Sequence, residues 1–490
     1  MATIQPTGVK IAHPERLFIG GAWVAPLAGG AIEVISPHTE RVSAVVAEAR
    51  EADMDRAVAA ARKAFDEGPW PTMPVAERAA IIRKMAVLLA ERQDELAAAF
   101  TAEIGALCTF APFAASSSTT TLANYADIGE AYAWETRQPS TVPGHTTILL
   151  REPVGVVAAI APWNMPYAIM VQKIAPALIC GCTVIMKPAP ETPLEAYILA
   201  EAAEAAGIPP GVLNLVTGHR DASDHLVRNR GVDKISFTGS TVAGKRIASV
   251  AGERIARVTL ELGGKSPAVV LDDFPTEAAG QILARTITVL SGQVCAMLSR
   301  AIVPASRIGA IADAIAAEMQ KVRIGSPLDP ATEMGPIALK RQIERIEHYV
   351  ESGKREGARL VTGGKRPVHM DVGYYYEPTL FTDVDNSMTI AREEIFGPVL
   401  ALIPANDLNH AIQLANDSDF GLNSAVLSND PDAAYAVGRR LRTGNVGQNG
   451  LKCDFSQPFG GFKQSGVGRE GGVEGLMPYI ELKAMQIEMA

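Results

Sequence analysis

The sequence predicts an α/β protein that contains two doubly wound α/β units. From residue 154 to 262, apolar segments of strand length alternate with segments of helical periodicity, and a second alternation runs from residue 266 to 404. Apolar strands that alternate with helices are typical of parallel sheets with helices on both faces. Right-handed crossovers place the loops that follow such strands along one edge of the sheet, where ligands bind. The boundary between the two sheets is expected near Gly263-Gly264.

The chain before the first sheet predicts short strands and then long helices. Leu17-Phe18-Ile19, the turn Gly20-Gly21 and Trp23-Val24 indicate a hairpin. The β-prone segment 146–150 predicts a projecting hairpin or an edge strand. Apolar residues at helical spacing predict amphipathic helices within residues 51–66, 76–105 and 117–135.

The elements of the two sheets follow from the same periodicities. In the first sheet, strands are predicted at 154–161, 183–186, 212–216, 234–237 and 257–262, with helices at 167–179, 193–206, 223–229 and 242–250. In the second sheet, strands are predicted at 267–271, 301–303 and 399–403, with helices at 276–290, 307–322 and 338–356. Gly207 and Pro209-Pro210 end one of these helices, because glycine and proline interrupt helical structure.

Length and composition exclude several classes of function. The 490 residues carry a net charge of −9 without a run of Lys and Arg, so binding to nucleic acid or to an anionic membrane is not expected. The five cysteines are odd in number and most are far apart, which favours a reducing compartment over a disulfide framework. Neither a signal peptide nor an apolar run of spanning length is recognisable, so the expected location is the cytoplasm.

The segment 291–300 holds a single cysteine, Cys295, between small and apolar neighbours. A thiolate is a strong nucleophile near neutral pH, so Cys295 is a candidate for covalent catalysis. The alternative is an inert core thiol, because free cysteine is often buried. The segment alone does not separate these two interpretations.

A second candidate site follows a predicted strand, in the segment 237–244. Gly239 permits a tight turn, and Ser240 can cap the next helix, whose free N–H groups attract a phosphate. Gly244 lets that helix lie close to the sheet. The alternative is an ordinary capped strand–turn–helix connection.

Three polar residues lie at or just after the ends of predicted strands. Lys187 is a candidate for binding the hydroxyls or the 2′-phosphate of a nucleotide ribose, or else a solvated lysine. Glu261 ends an apolar strand, so its carboxyl group has a raised pKa, which suits a general base, or it has a capping or ion-pair partner. Asn164 can donate to an oxyanion, or it simply forms the turn.

The remaining motifs are ambiguous or are assigned no function. Glu394 and Phe396 precede a turn, where the alternative is a solvated acidic helix end. The Cys180-x-Cys182 pair has no His or Cys partner at ligand spacing, so no metal is assigned. A G-x-G-x-x-G pattern is formed by Gly466, Gly468 and Gly471, but no βαβ unit surrounds it and a loop is predicted there.

Together these residues resemble the aldehyde dehydrogenase superfamily over nearly the whole chain. Glu261 and Cys295 are 34 residues apart, as in the family pattern. The joint order and spacing favour the nucleophile interpretation of Cys295 over the core thiol. The resemblance rests on Lys187 and on the segments 162–166, 237–244, 261–267, 292–295, 394–398 and 458–469.

The resemblance implies a hydrolytic, NAD(P)-dependent oxidation of an aldehyde to the acid. Cys295 corresponds to the nucleophile that forms a thiohemiacetal and then a thioacyl enzyme, and Asn164 corresponds to an oxyanion donor beside the Cys295 backbone N–H. Glu261 corresponds to the base that activates water, and Lys173 to a lysine that relays protons. The residues implied for the cofactor are Ile160, Trp163, Lys187, Gly239, Ser240, Gly244, Leu262, Glu394 and Phe396.

Three departures from the family pattern affect these expectations. Pro190 stands where many NAD-preferring members carry a glutamate, so NAD is favoured and NADP stays open as the alternative. Val473 stands where the family often has a glutamate for proton exit, which puts a relay role of Glu474 in doubt. The segment 451–457 is two residues shorter than the commonest pattern, which reshapes the mouth of the substrate tunnel.

The resemblance also implies the substrate class, the domains and the assembly. Met165, Ile169, Phe455 and Phe459 correspond to the access tunnel and favour an apolar aliphatic or aromatic aldehyde. A homodimer or homotetramer is expected, because exposed strand edges need partners. The implied domains are a Rossmann-like NAD(P)-binding domain (1–134 and 154–262), a catalytic domain (263–445), a small β oligomerisation arm (135–153 and 478–490) and a loop region that closes the active site (446–477).

Three alternative functions stay open at this point. A coenzyme A-acylating semialdehyde dehydrogenase uses the same nucleophile, but Glu261 argues for water as the acyl acceptor. A catalytically inactive binding or structural relative is disfavoured by the presence of Cys295, Glu261 and Asn164 together. A cysteine hydrolase without a redox step would turn over esters in the absence of a nucleotide.

Overall fold

The structure is a computed structural model that describes residues 5–488. Within these residues the strands, numbered β1 to β22 in chain order, are Leu17–Ile19, Ala22–Val24, Ala31–Ile35, Val42–Ala47, Glu135–Pro139, His145–Pro153, Val156–Ile160, Thr183–Lys187, Leu213–Leu215, Lys234–Thr238, Arg257–Glu261, Ser266–Val270, Leu298–Pro304, Arg359–Thr362, Thr379–Thr382, Val399–Ala405, Phe420–Gly421, Asn423–Leu427, Asn445–Gln448, Phe462–Lys463, Gly466–Val467 and Ile480–Glu488. The helices α1 to α14 are Glu51–Asp66, Val75–Glu91, Gln93–Ile104, Ala111–Ala131, Pro166–Cys180, Leu194–Ala206, Arg220–Arg228, Thr241–Gly252, Thr276–Thr288, Ile308–Met319, Lys340–Arg355, Thr389–Arg392, Leu408–Asn416 and Pro431–Gly438. No helix between residues 5 and 488 combines the length and the apolar character needed to cross a membrane.

The first sheet has the strand order β2-β1-β9-β8-β7-β10-β11-β21. Its central strands, from β9 to β11, run parallel, whereas β1 and β21 pair antiparallel at its two sides. Every residue of β7, β8 and β10 is buried, as expected for strands that helices cover on both faces. The chain order reverses at β7, and doubly wound sheets bind their ligands at such a switch point. The loops after β7 and β10 therefore open onto one crevice.

The second sheet has the strand order β14-β15-β16-β13-β12-β18-β19, and its neighbours are parallel except for β14 with β15. The first sheet's strand β11 ends at Glu261, and the second sheet's strand β12 begins at Ser266. The short connection through Gly263 and Gly264 therefore brings the carboxyl ends of one sheet against the amino ends of the other. The doubly wound α/β prediction is confirmed for both sheets.

A third sheet is antiparallel and has the strand order β22-β6-β5. Strand β22 pairs with β6 along its whole length, from Ile480 opposite Pro153 to Glu488 opposite His145. This pairing joins the two segments, 135–153 and 478–490, that were predicted to form one arm. Positions 489 and 490 of the predicted arm, and positions 1–4 of the predicted cofactor domain, lie outside the described residues.

Several boundaries differ from the sequence prediction. The segment 76–105 forms two helices that meet at Arg92, where neither glycine nor proline marks the break. Strand β19 crosses position 445, and the predicted loop region 446–477 contains β20 and β21. Gly466 in β21 lies so close to β11 that a Cβ there would collide with the carbonyl of Leu260. The pairing of β21 with β11 therefore requires glycine at position 466, in a segment that was predicted to be a loop.

Candidate active site

The crevice between the first two sheets contains a cavity of about 190 Å³. Its walls come from the loops after β7 and β10, from the connection after β11, from segments before β13 and β16, and from helix α11. The lining residues are Pro162, Trp163, Asn164, Thr238, Gly239, Ser240, Leu262, Gly263, Cys295, Gln342, Arg345, Glu394 and Phe396. The structure thus brings the predicted nucleophile and oxyanion donor into one cavity with residues predicted to bind the cofactor.

Cys295 follows a tightly folded segment between α9 and β13. Residues 290–292 have consecutive positive φ angles of 45°, 55° and 77°. Such angles are uncommon outside glycine and persist where the surrounding structure enforces them. A Cβ on Gly292 would collide with the backbone of Gly397, so the segment packs directly against the loop before β16. This packing fixes the position from which the half-buried thiol faces the cavity.

The surroundings of Cys295 favour the protonated thiol over the thiolate. Burial raises the pKa of the Cys295 thiol far above its ordinary value, and the carboxylates of Glu394 and Glu261 raise it further. The backbone N–H of Ala296 acts in the opposite direction. The nucleophile therefore needs a base to remove its proton, or a change of surroundings, before it can react.

Asn164 is buried in the turn after β7 and points toward the nucleophile segment. Its side-chain Nδ2 donates to the backbone carbonyl of Gln293 at 2.8 Å. Gln293 is itself fixed, because its Oε1 accepts from the N–H of Ala338 and its Nε2 donates to the carbonyl of Leu290, both at 2.9 Å. An amide group has two N–H donors, so the second one is free to face the cavity. Gln293 is a positioning residue that the sequence analysis missed.

Glu261 lies at the carboxyl end of β11, but it does not line the cavity that contains Cys295. Both carboxyl oxygens are buried, and neither has a hydrogen-bond partner among residues 5–488. Burial, followed by the nearby charge of Glu470, raises the pKa of Glu261 well above its ordinary value, while Lys173 and Arg469 oppose that rise. Of the two interpretations of Glu261, a carboxyl group with a raised pKa therefore agrees with the structure better than a carboxylate that caps a helix or forms a salt bridge.

A buried ion pair lies beneath Glu261. The Nζ of Lys173 donates to Oε1 of Glu470 and to Oγ1 of Thr238, both at 2.7 Å. Glu470 also accepts from the hydroxyl of Ser236 at 3.4 Å. The sequence analysis had considered Glu474 for proton exit, but Glu474 is exposed, and Glu470 holds the buried position. The sequence feature that could have identified Glu470 is its position directly after Arg469, the last residue of the family motif 458–469.

The loop after β10 and the start of α8 form the predicted phosphate-binding turn. Ser240 is exposed at the N-cap of α8, where its hydroxyl accepts from the N–H of Ala243 at 3.3 Å. A Cβ on Gly244 would overlap the side chain of Leu262, so Gly244 allows α8 to lie against the end of β11. Gly239 lies against the Phe237 ring in the same way. The free N–H groups of the helix therefore face open space at the cavity mouth, which fits the phosphates of a dinucleotide.

The loop before β16 brings Glu394 and Phe396 into the lining of the cavity. Glu394 accepts from the N–H of Gly264 at 3.0 Å, and burial raises its pKa to about 7. The ring of Phe396 meets the ring of Trp163 edge-on, with centroids 5.2 Å apart. The interpretation as a solvated acidic helix end is wrong for Glu394, because this carboxyl group is partly buried in the crevice.

Helix α11 holds that loop in place and was not predicted to take part. Gln342 donates to the carbonyls of Ile395 and Phe396 at 2.8 and 2.9 Å. Arg345 donates to the carbonyl of Glu394 at 2.7 Å. Both side chains also line the cavity. No sequence motif marked them, because the contact joins segments that are about 50 residues apart along the chain.

Two predicted cofactor residues lie at the ends of the first sheet's strands. Ile160 is buried at the end of β7, beside Lys187 at the end of β8. The solvated-surface interpretation of Lys187 is wrong, because its side chain is almost fully buried. Burial lowers the pKa of Lys187 to about 8, and the carboxylate of Glu191 opposes that change. Lys187 is thus a buried cation near the switch point.

The predicted tunnel residues divide into two groups. Phe455 and Phe459 contact each other with ring centroids 5.1 Å apart, and the buried Phe459 belongs to an apolar cluster against which Cys295 packs. Met165 instead borders a separate small cavity, and Ile169 packs against the core under the first sheet. The structure therefore brings Phe459, with Phe455 in contact with it, into the cluster of the nucleophile, but not Met165 and Ile169.

The comparison with known proteins decides the family. A family model described as "Aldehyde dehydrogenase family" matches residues 23–485. The chain belongs to the aldehyde dehydrogenase family. It is 42% identical to geranial dehydrogenase of Castellaniella defragrans over 474 residues, which cover 96% of this chain and 98% of that relative. It is 40% identical to aldehyde dehydrogenase 1 of Tanacetum cinerariifolium, with 96% and 94% covered.

Solved aldehyde dehydrogenase structures share the whole fold of this chain. A Mycobacterium tuberculosis aldehyde dehydrogenase complexed with NAD+ is 41% identical, with a TM-score of 0.95 and with 98% of this chain and 99% of that chain covered. A mutant of aldehyde dehydrogenase C from Pseudomonas syringae, in complex with NAD+ and octanal, is 38% identical, with a TM-score of 0.94 and the same coverage. This aldehyde dehydrogenase therefore has the fold of its family over nearly its whole length.

Proposed function

We propose that this aldehyde dehydrogenase oxidises an apolar aldehyde to the carboxylic acid with NAD+ or NADP+, with Cys295 as the nucleophile. One observation carries the proposal. The Cys295 thiol and the Asn164 amide line the same cavity as Ser240 and Glu394, which lie on the dinucleotide side. A nucleophile, an oxyanion donor and a helix N-terminus in one crevice suit a covalent reaction coupled to a bound nucleotide.

The first step forms a bond between the Cys295 sulfur and the aldehyde carbon. The thiol proton passes to the carboxylate of Glu261, the base of this proposal, because burial and the charges of Glu394 and Glu261 favour the protonated thiol until a base removes its proton. The aldehyde oxygen gains the electron pair of the broken π bond, and the free N–H of Asn164 and the Cys295 backbone N–H donate to it. Gln293 keeps the Asn164 amide aimed at that position through the 2.8 Å bond to its carbonyl.

The cavity residues Glu394, Phe396, Trp163 and Ser240 would hold a dinucleotide in the same cavity as the nucleophile. When it is bound, the dinucleotide supplies the hydride acceptor. Glu394, Phe396 and Trp163 line the cavity, the rings of Phe396 and Trp163 are in edge-on contact, and hydrogen bonds from α11 hold the loop that carries Glu394 and Phe396. The capped N-terminus of α8 is the place for the diphosphate.

The last step is hydrolysis of the thioester. Glu261 accepts a proton from water, the hydroxide adds to the acyl carbon, and the Cys295 sulfur leaves with the electron pair. A carboxyl group whose pKa is raised by burial is matched to this task near neutral pH. Its side chain must turn from its buried position toward the thioester, because it does not line the cavity in this structure. Lys173 and Glu470 lie close enough to Glu261 to accept the proton that its carboxyl group takes from water.

An apolar substrate is supported by the surroundings of Cys295. Phe459, Leu422 and Ala296 form the buried apolar cluster against which Cys295 packs. One relative is named for geranial, and one structural neighbour was solved in complex with octanal, both of which are apolar aldehydes. An apolar pocket favours such chains through burial of their surface.

The third sheet supports the proposed homodimer or homotetramer. Leu482, Met485 and Ile487 on β22 are exposed, and β22 forms an open edge of its sheet. Unpaired strand edges with apolar side chains need a covering partner. The proposed domains remain those of the sequence analysis, with residues 135–153 and 478–490 as the arm, and size-exclusion chromatography with light scattering tests the assembly.

The deciding experiment is an aldehyde panel with each nucleotide, comparing the wild type, Cys295→Ser and Cys108→Ser. Cys108 is also a half-buried free thiol but lies outside the cavity, so its variant is the matched control. We expect free acid and reduced nucleotide from the wild type and the control, and loss of both from Cys295→Ser. Equal activity of Cys295→Ser would overturn the nucleophile assignment.

Two further arms separate the alternatives. Added coenzyme A that yields acyl-coenzyme A instead of free acid would identify an acyl transferase, and Glu261→Gln should then have little effect. Ester turnover without any nucleotide-dependent aldehyde oxidation would identify a plain cysteine hydrolase. Under the proposal, Glu261→Gln slows the first burst of reduced nucleotide and loses steady-state turnover.

A further inference from the structure

Two free thiols share one apolar cluster at the active site. Cys295 and Cys453 both pack against the buried residues Ala296, Leu422 and Phe459. Both cysteines are half-buried, so small solutes still have access to them. Aldehyde oxidation uses Cys295 as the nucleophile and leaves Cys453 without a role.

The electrostatics of the cluster place the two sulfur atoms within reach of each other. Burial is the largest cause of the raised pKa of Cys295, and Cys453 is among the neighbouring groups whose negative charge raises it further. Burial also raises the pKa of Cys453, to about 11. At neutral pH both groups are therefore uncharged thiols, and no charge repulsion keeps them apart in the apolar cluster.

The remaining three cysteines are placed differently. Cys180 and Cys182 are buried in the large apolar core that includes the first sheet. Cys108 is half-buried, like Cys453, but it does not belong to the cluster around Cys295. Cys453 is therefore the thiol that is best placed to react with the nucleophile.

The segment that carries Cys453 is free to move toward Cys295. Among the described residues, the backbone of residues 450–453 makes no hydrogen bond. On either side of it, the N–H groups of Asn449 and Gln457 donate to backbone carbonyls at 3.0 and 3.1 Å. A short segment that is held by side-chain packing alone opens and shifts at low free energy, so it can bring the two sulfur atoms to bonding distance.

We propose that Cys453 is the resolving thiol of the nucleophile, and that hydrogen peroxide converts Cys295 and Cys453 into a reversible disulfide. The Cys295 thiolate attacks one oxygen of the peroxide, and the O–O bond breaks. Cys295 becomes a sulfenic acid, and the second oxygen leaves as hydroxide and takes up the proton that the thiol had lost.

The second step joins the two cysteines. The Cys453 sulfur attacks the Cys295 sulfur, the S–O bond breaks, and the departing hydroxyl group leaves as water with the proton of the Cys453 thiol. The two thiols lose two electrons in total, and these electrons reduce one molecule of peroxide to two molecules of water.

The disulfide blocks the nucleophile and also protects it. A sulfenic acid that is oxidised again becomes a sulfinic acid, which thiols do not reduce, whereas they do reduce a disulfide. Capture of the sulfenic acid by Cys453 therefore keeps the enzyme recoverable. This inference rests on Cys295 as the reactive thiol of the proposed function, but the disulfide is identified by its mass, independently of aldehyde oxidation.

The test treats the wild type and Cys453→Ser with hydrogen peroxide in the absence of aldehyde. Activity is measured before and after dithiothreitol, relative to the untreated form of the same protein. We expect the wild type to regain most of its lost activity, and Cys453→Ser to regain at least about fivefold less, because its Cys295 proceeds to the sulfinic acid. Cys453→Ala should behave like Cys453→Ser.

Peptide mapping without reduction gives the second readout. The treated wild type should yield a disulfide-linked pair of the peptides that contain positions 295 and 453, together with the loss of two titratable thiols per chain. The matched control is Cys108→Ser, which removes a half-buried free thiol outside the cluster. It should be inactivated and recovered like the wild type.

Three outcomes contradict the proposal. They are a wild type that dithiothreitol does not reactivate, a Cys453→Ser variant that recovers as fully as the wild type, and the absence of the linked peptide pair. A linked pair in a protein whose Cys295→Ser variant still oxidises aldehydes would reject the proposed function and leave the disulfide established.

Discussion

The buried ion pair between Lys173 and Glu470 gives the sharpest test of the site. The Lys173 side chain is 0% exposed and that of Glu470 is 6% exposed, and their atoms are 2.7 Å apart. Lys173→Met removes the cation and leaves the Glu470 carboxylate buried, with Ser236 at 3.4 Å as a weak donor. Breaking a buried pair in this way costs about 3–5 kcal/mol of folding free energy.

The same two residues should shift the pH dependence of turnover in opposite directions. The charge of Lys173 lowers the pKa of Glu261, and that of Glu470 raises it. Turnover rises with pH as Glu261 loses its proton, if Glu261 is the base of the hydrolytic step. Lys173→Met therefore moves this rise to higher pH, and Glu470→Gln moves it to lower pH.

The assay combines a pH profile of kcat with urea unfolding for each variant. The double variant Lys173→Met/Glu470→Gln removes both charges, so it should recover most of the lost stability and bring the pH profile back toward that of the wild type. Lys321→Met is the control, since Lys321 forms an exposed pair with Glu318 at 2.6 Å, and its loss should cost less than about 1 kcal/mol. Shifts in the same direction for both single variants, or a double variant as unstable as Lys173→Met, would refute the reasoning.

Three further variants probe the remaining contacts. Asn164→Ala should lower kcat/KM about 10²–10³-fold and leave nucleotide binding unchanged by fluorescence, whereas a smaller loss would remove Asn164 from the oxyanion hole. Glu394→Gln should lower the pKa of the Cys295 thiol and so speed its alkylation by iodoacetamide at fixed pH; slower alkylation would contradict the electrostatic account. Burial raises the pKa of Glu195 from its ordinary 4.5 to about 8. The folded protein therefore holds this proton more tightly than the unfolded chain does. The resulting contribution to folding stability is complete below pH 4.5 and is lost as the pH rises through about 8. Glu195→Gln should therefore gain melting temperature over the wild type as pH increases, and a constant difference would refute that assignment.

Much of the fold follows from local patterns. The apolar runs and helical periodicities predicted β7 to β11 and the helices between them to within a few residues. Such patterns are local, because burial on both faces of a parallel sheet imposes continuous apolar segments. The break at Arg92 and the antiparallel strand β21 were not predictable, since each depends on segments that meet only in the folded chain.

The residues of the functional site also fall into those that the sequence predicted and those that it did not. The short segments around Cys295, Asn164 and Ser240 left two interpretations open for each residue, and the joint order and spacing of the motifs, through the resemblance to the family, favoured the functional ones. Glu470 and Gln293 were missed, because their roles come from contacts with Lys173 and Asn164 that lie 297 and 129 residues away along the chain. Periodicity and short motifs contain no information about such pairs.

Residue types and their order along the chain were enough to name a nucleophile, a base and a nucleotide turn. The state of those groups depends on three-dimensional packing. Burial raises the pKa of Cys295 and Glu261, and the neighbouring charges that raise or lower them further come from distant segments. Desolvation and Coulomb interactions act through space and not along the chain, so the folded arrangement sets whether each group is protonated.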